Sequence, residues 1–149
     1  MAVTVDAHAR FSAAWESLFR TTRRLRAQAH VFAGEAGMSL PQYQLLAPLR
    51  HTTELAVGEL AEAAGVAPPT ATRMLDCVAR DGYITRRHSE IDRRSVLVSL
   101  TADGEQAVEK AHAIVEAWRR DVFERLAPEE REHAVVALER LTEVLEEQL

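Results

Sequence analysis

Arginines and threonines are the residues of this 149-residue chain whose types and spacing could do chemistry. Thr70, Thr72 and Arg73 follow directly on Pro68-Pro69, and Arg93-Arg94 follow Asp92. A guanidinium makes planar, bidentate contacts to phosphates and to the guanine edge. A threonine hydroxyl can donate to phosphate, and its methyl can touch that of thymine. Asp92 stands two residues before Arg94, a spacing that lets its carboxylate pair with the guanidinium and fix its direction. An aimed arginine suits a narrow minor groove, where negative potential is concentrated. The blander readings are a packing helix, and a solvated turn whose surface ion pair is worth little.

Other chemistry finds less support. The histidines, His8, His30, His51, His88, His112 and His133, do not fall at helical i, i+3 or i, i+4 spacing, and no cysteine accompanies them at ligand spacing, so no metal is expected. There is no Gly-rich phosphate loop, nucleophile elbow or metalloprotease motif, so no catalytic residue and no cofactor is expected. Cys77 is the only cysteine, which excludes an internal disulfide and suits a reducing, cytoplasmic setting. It lies one helical turn after Arg73 and could act as a thiol switch. Asp76 and Asp81 nearby disfavour the thiolate, which favours an inert, partly buried side chain.

The elements that must position these residues are mostly helical. Hydrophobic residues make up 47% and aromatics only 5%, so the core is built from Leu, Val and Ala, as packed helices are. Periodicity predicts a long helix over 7–33, with Phe11, Ala14, Trp15, Leu18, Phe19, Leu25 and Val31 recurring. Ser39 and Gln42 have capping-box spacing before a helix over 40–51. A third helix over 56–65 carries Val57, Leu60, Ala61 and Ala64 in a stripe. A fourth runs from Pro68 to Asp81 with Ala71, Leu75 and Val78 inward. Residues 83–87 and 95–100 read as a strand hairpin. Thr101 caps a long helix over 102–126 with Val108, Ala111, Val115, Trp118 and Val122 on one side, and a last helix over 128–147 carries Val135, Leu138, Leu141 and Leu145. The flanking helices have little in so short a chain to cover their stripes, so a homodimer is expected, with residues 7–33 and 102–149 as dimerisation helices. The start of the chain lacks a signal-peptide pattern and no stretch is apolar enough for a membrane span, so no membrane partner is expected.

Charge is divided along the chain. Residues 1–50 carry a net +3, residues 51–65 −3, residues 66–100 +2 and residues 101–149 −7, within an overall −5. A basic middle and an acidic C-terminal third suggest separate jobs. The middle has helix-turn-helix form, with Gly65 at the turn, and the hairpin after it makes a winged helix over 38–100. The expected fold is therefore mainly α with a small β-hairpin wing, a winged helix-turn-helix core flanked by terminal helices. Its second helix would offer Pro68, Pro69, Thr70, Thr72 and Arg73 to the major groove of double-stranded DNA.

The runs Thr72-Arg73-Met74-Leu75-Asp76, Gly82-Tyr83-Ile84-Thr85-Arg86 and Asp92-Arg93-Arg94-Ser95-Val96-Leu97-Val98-Ser99-Leu100-Thr101 with Gly104 are similar to the MarR (multiple-antibiotic-resistance regulator) family. The order and length of the helices extend the resemblance over essentially the whole chain. It implies a homodimeric winged-helix transcription regulator, usually a repressor. Such a protein binds a palindromic operator and releases it on binding small phenolic or lipophilic molecules, or on cysteine oxidation. It also implies that Asp92, Arg93 and Arg94 belong to the DNA-contacting wing. An effector cleft beside the dimerisation helices would be lined by Trp15, Phe19, Arg23, His30, Tyr43, Leu46 and Arg50, and a second carboxylate site would lie between Thr72 and Arg86. Three positions depart from the pattern: Ala67 replaces a common capping Ser, Ser89 a common acid, and Ile91 a basic or polar wing-tip residue. The peroxide-sensing branch places its cysteine near the start of the first helix, where this chain has none. The rival readings are a helical interaction protein with a degenerate winged helix, a regulator sensing redox through Cys77, and a small enzyme using the cleft.

Overall fold

The computed structural model describes residues 2–27 and 30–149, with side chains described at 6–25 and from 33 onward. Helix α1 (Ala2–Ala27) and helix α2 (His30–Ala36) occupy the stretch expected as one helix. α2 runs through Gly34, so the stop falls at Gly37, whose N–H donates to the Ala33 carbonyl at 3.0 Å. Ser39 caps α3 (Leu40–Leu46) as its spacing predicts. Its Oγ accepts from the Gln42 N–H at 3.3 Å, and Gln42 Oε1 accepts from the Ser39 N–H at 2.8 Å. The end of the expected 40–51 helix tightens into a 3₁₀ turn at Ala47–Arg50, as helix ends often do.

Strand β1 (Leu55–Ala56) leads into α4 (Val57–Ala64), and Glu59 Oε2 accepts from the Ala56 N–H at 2.7 Å. After α5 (Pro68–Arg80) come β2 (Ile84–His88) and β3 (Val96–Leu100). All pairing is antiparallel in the order β1-β3-β2, with Ile84 opposite Leu100, His88 opposite Val96, and Leu55 opposite Val98. The hairpin lies one residue from its expected bounds. β1 is the strand that periodicity did not reveal, because two residues are too few to show alternation.

The chain divides into two compact units, residues 1–112 and 113–149, the boundary falling within α6 (Ala102–Glu124). The first unit holds a core of Leu45, Leu46, Leu60, Leu75, Val78, Val98 and Val108, all fully buried. Burying each such side chain stabilises by roughly 1.5–3 kcal/mol. The predicted inner face of α5, Ala71, Leu75 and Val78, is buried without exception. The α6 stripe corrects an expectation. Val108 and Ala111 are fully buried in the single chain, whereas Trp118 and Val122 are about half exposed. Only the later part of that stripe is therefore left uncovered in the single chain.

A junction beside Tyr83 explains why α6 starts inside the core. The Thr101 N–H donates to the Tyr83 carbonyl at 3.0 Å, while Thr101 Oγ1 donates to the Gly82 carbonyl at 2.6 Å and accepts from the Gly104 N–H at 3.0 Å. Tyr83 Oη donates in turn to the Gly37 carbonyl at 3.2 Å. Gly104 is buried, and a Cβ there would overlap the Tyr83 carbonyl oxygen.

In the second unit the rest of α6 meets α7 (Pro128–Glu146) at a short corner. The Arg131 guanidinium stacks over Phe123 at 5.2 Å and donates to the carbonyls of Leu126 at 3.2 Å and Glu124 at 2.9 Å. Glu130 Oε2 accepts from the Ala127 N–H at 2.9 Å.

Gly104→Ala should lower stability by about 1–3 kcal/mol, the usual cost of forcing atoms into a packed site. Gly34→Ala, at a helical position with nothing among the described residues within 4 Å, should raise stability by about 0.5–1 kcal/mol. Urea denaturation of both variants checks the pair; equal midpoints would refute the close approach at Gly104.

Candidate nucleic-acid interface

α4 and α5 make the helix-turn-helix. Gly65 sits at φ 64°, ψ 34°, a left-handed conformation that favours glycine. The Val66 N–H then reaches the Ala61 carbonyl at 3.0 Å, which closes α4 and redirects the chain. Ala67 supplies no side-chain cap, but its carbonyl accepts from the N–H groups of Thr70 at 2.9 Å and Ala71 at 3.0 Å. With Ala71, Leu75 and Val78 inward, Pro68, Pro69, Thr70, Thr72 and Arg73 are all exposed, as their positions predict. Thr72 Oγ1 donates to the Pro68 carbonyl at 3.0 Å. Its proton is committed within the helix, so it presents a methyl group and oxygen lone pairs rather than the donor expected from its type.

The arginines of residues 66–100 separate into two sets of three. Arg86 Nη1 donates to Asp76 Oδ1 at 2.7 Å, fastening β2 to α5. Arg87 binds both carboxylate oxygens of Glu54, at 3.0 and 2.6 Å; this hydrogen bond is the main cause that raises the guanidinium pKa above its ordinary value. Arg80 donates to Cys77 Sγ at 3.2 Å and to the Asp76 carbonyl at 3.4 Å. The guanidinium groups of Arg73, Arg93 and Arg94 are exposed and have no ion pair or hydrogen bond among the described residues. These three are the ones assigned to DNA from the sequence.

The wing tip is an ordered turn. The Ser89 N–H donates to the Ser95 carbonyl at 2.9 Å, and Ser89 Oγ accepts from the N–H groups of Ile91 at 3.2 Å and Asp92 at 3.3 Å. The Ser95 N–H donates to the Asp92 carbonyl at 2.9 Å. His88 Nδ1 lies 3.1 Å from the Arg93 carbonyl, which accepts, so that nitrogen carries the proton. Asp92 Oδ1 accepts from the backbone N–H of Arg94 at 3.0 Å. This corrects the expected pairing with the Arg94 guanidinium: the carboxylate fixes the turn, and through it the direction in which Arg94 leaves the backbone.

A cavity of about 270 Å³ lies between α5 and the wing strands, lined by Val57, Gly58, Thr72, Leu75, Arg86, Arg94, Ser95 and Val96. It brings Thr72 and Arg86 together, and adds Arg94, which spacing did not connect to them. The residues expected to line the other cleft fall into local groups. Phe11, Trp15 and Phe19 form a run along α1, with ring centroids 5.6 and 4.9 Å apart. Arg23 is exposed, and the side chain of His30 lies outside the described residues. Tyr43 Oη is hydrogen-bonded to His112 Nδ1 at 2.9 Å, and Leu46 is fully buried core. Arg50 binds Glu109 at 2.7 and 3.3 Å. His112 and Glu109, both on α6, leave no periodic trace in the sequence because their partners lie 69 and 59 residues away. Among the described residues no group of three His, Cys, Asp or Glu is placed to hold a metal.

Comparison with known proteins places this geometry. The MarR family model matches residues 38–96. The uncharacterized HTH-type transcriptional regulator YfiV of Bacillus subtilis is 33% identical over 109 residues, 73% of this chain and 68% of its own. An HTH-type transcriptional repressor of Mycobacterium bovis is 32% identical over 116 residues, 77% of this chain and 84% of its own. Relatives from Bacillus subtilis and Clostridium symbiosum are matched over 58–64% of their own length. A solved MarR family regulator from Streptomyces coelicolor in complex with DNA has a TM-score of 0.77 at 25% identity, with 90% of this chain and 86% of that one covered.

The Glu109 carboxyl is held below its ordinary value, chiefly by the hydrogen bond from Arg50. Burial opposes this, and the charges of Arg50, His112 and His51 add to it. A depressed carboxyl stabilises the fold above its unfolded pKa, and that stabilisation is lost as pH falls through the folded value. Glu109→Gln should therefore be less stable than wild type near neutrality, with the gap closing on acidification. Urea midpoints across that range check this; a pH-independent gap would mean the pair contributes no ionic stabilisation.

Proposed function

The chain belongs to the MarR family of DNA-binding transcriptional regulators, which are not enzymes, and from that premise we propose a homodimeric repressor that grips a palindromic operator and releases it on binding a small aromatic or lipophilic effector. The observation that carries the DNA assignment is the division of the arginines. Three are held by protein partners, while Arg73 on the exposed face of α5 and Arg93 and Arg94 on the wing have none among the described residues. Cations left unneutralised on one helix and its adjoining hairpin suit a polyanion, even on a chain with net charge −5. In this reading α5 enters the major groove, with Arg73 on a guanine edge and Thr70 and Thr72 beside it. Arg93 and Arg94 lie along the minor groove, set by the Asp92 turn.

A second copy is the occupant proposed for the uncovered apolar residues of the flanking helices. Phe11, Leu18, Phe19 and Leu25 on α1 are 43–54% exposed, and Trp118, Val122, Leu138 and Leu145 on α6 and α7 are 44–61% exposed. The effector site proposed is the cavity between α5 and the wing, where the Arg94 guanidinium has no partner among the described residues and Arg86 uses an N–H on Asp76. An aromatic carboxylate bound there would draw Arg94 off the groove, which links effector binding to release. No helix among the described residues is long and apolar enough to cross a membrane, and a cytoplasmic site of action suits the reading.

Leu138→Asp with Leu141→Asp should unfold or monomerise the protein. Light scattering that gives a folded monomer for the unmodified chain at micromolar concentration would refute the dimer.

Two major-groove readers on a symmetric dimer require half-site centres about 10 bp apart. Affinity should fall with salt at a log–log slope of roughly −4 to −8, set by about 5–9 released counterions. Arg73→Ala should cost about 1–3 kcal/mol per half-site and relax preference at one operator position. Arg94→Ala should weaken binding to all sequences alike and make the slope shallower. Asp92→Ala should also weaken binding, although it removes a negative charge. Tighter binding by that variant in a titration would overturn the role given to the Asp92 turn, and the absence of any salt-dependent binding would favour a winged helix that no longer reads DNA.

A further inference from the structure

Ile91 is fully exposed near the apex of the wing, where nothing among the described residues packs against it. A single exposed apolar residue is ordinary on a protein surface, but this one is mounted on an ordered support. Its own N–H and that of Asp92 are both held by Ser89 Oγ, and the loop is tied at Ser89–Ser95, Asp92–Ser95 and His88–Arg93. The backbone beneath Ile91 is thus hydrogen-bonded at successive positions, and the side chain leaves it into solvent.

The charges around it sharpen the question of what it does. Glu90 and Asp92 balance Arg93 and Arg94, so the apex as a whole is neutral. Glu90 would be repelled by phosphates, so attraction at the wing is local to the exposed guanidinium groups of Arg93 and Arg94 and does not act on Ile91 itself. A neutral apex still gains free energy from a groove if its apolar side chain leaves water there. Apolar side chains that enter the minor groove do so as wedges between base pairs, where partial unstacking exposes an apolar surface for them. The cost is lowest at flexible pyrimidine–purine steps and highest in stiff A-tracts.

We propose that Ile91 is a specificity-determining wedge, which enters the minor groove at a flexible pyrimidine–purine step flanking the α5 contact and reads deformability rather than base identity. The proposal rests on the DNA-binding reading given above. It assigns Arg94 and Ile91 different tasks on one hairpin: the guanidinium supplies salt-sensitive attraction, and the isoleucine supplies salt-insensitive preference among sequences.

The test uses the full chain and a duplex selected by it from a random-sequence pool. Two derivatives of that duplex carry either a TpA step or a continuous A-tract at the outer positions, and a third carries 2-aminopurine beside the step. The unmodified protein should prefer the TpA duplex by roughly tenfold and raise the 2-aminopurine fluorescence on binding. Ile91→Ser should bind both duplexes with an unchanged salt slope, lose the preference and leave the fluorescence low. Ile91→Leu, which keeps the apolar bulk, should retain both signals, and Arg94→Ala should retain the preference while its salt slope becomes shallower. If Ile91→Ser binds with the preference and fluorescence of the unmodified protein, the wedge is overturned and the DNA-binding reading stands. If the unmodified protein selects no duplex, both fall together.

Discussion

The carbonyl group of Tyr83 is the point on which the arrangement depends. It accepts from Thr101, and it lies so close to Gly104 that no side chain fits between them. The same residue reaches through its phenol to the Gly37 carbonyl, ahead of α3. This single residue beyond the end of α5 thus ties together the loop before α3, the first strand of the wing and the first turn of α6. The Thr101 hydroxyl completes the knot, donating to Gly82 and accepting from Gly104. Any displacement of α6 at this end is therefore felt at the end of α5, through contacts that cannot stretch by more than a few tenths of an ångström without breaking.

A protein with net charge −5 can still suit a polyanion because charge acts locally. Glu54 takes up Arg87, and Asp76 takes up Arg86, so these acids work inside the winged helix rather than opposing it. The acidic excess lies after residue 101, away in sequence from the helix and hairpin that carry the unpaired arginines. The two paired arginines have a structural use as well. Each joins a strand of the wing to an earlier element, Arg86 to α5 and Arg87 to the segment before β1, so they fix the hairpin's base while leaving its tip to make contacts.

Most of this was legible in the chain, because the features concerned are local. The inner face of α5 follows from helical spacing, the Ser39–Gln42 box from an offset of three, and the hairpin from two runs of β-formers. What escaped were interactions between residues far apart in sequence, which leave no periodic trace. Tyr43 with His112, Arg50 with Glu109 and Glu54 with Arg87 are of this kind. The stripe on α6 is legible as apolar but not as divided, since Val108 and Trp118 share one helical periodicity and differ only in what the fold brings to them. At Asp92 the spacing to Arg94 was informative and the chosen partner was wrong, because a backbone N–H two residues on competes with the guanidinium at less entropic cost.

The two prolines that open α5 have a consequence for how a helix of this kind can meet an anion. A helix start ordinarily offers free N–H groups that hook a phosphate. Here Pro68 and Pro69 have no such hydrogen, and the N–H groups of Thr70 and Ala71 are turned back onto Ala67. The backbone at the head of the reader is chemically mute. In the proposed reading, placement along a duplex then comes from side chains alone, which can be exchanged one at a time. The prolines also stiffen the unfolded chain, so less disorder is surrendered when the reader forms. The helix start is a rigid mount with interchangeable bristles, a form in which the sequence preference of a regulator can drift while its architecture stays put.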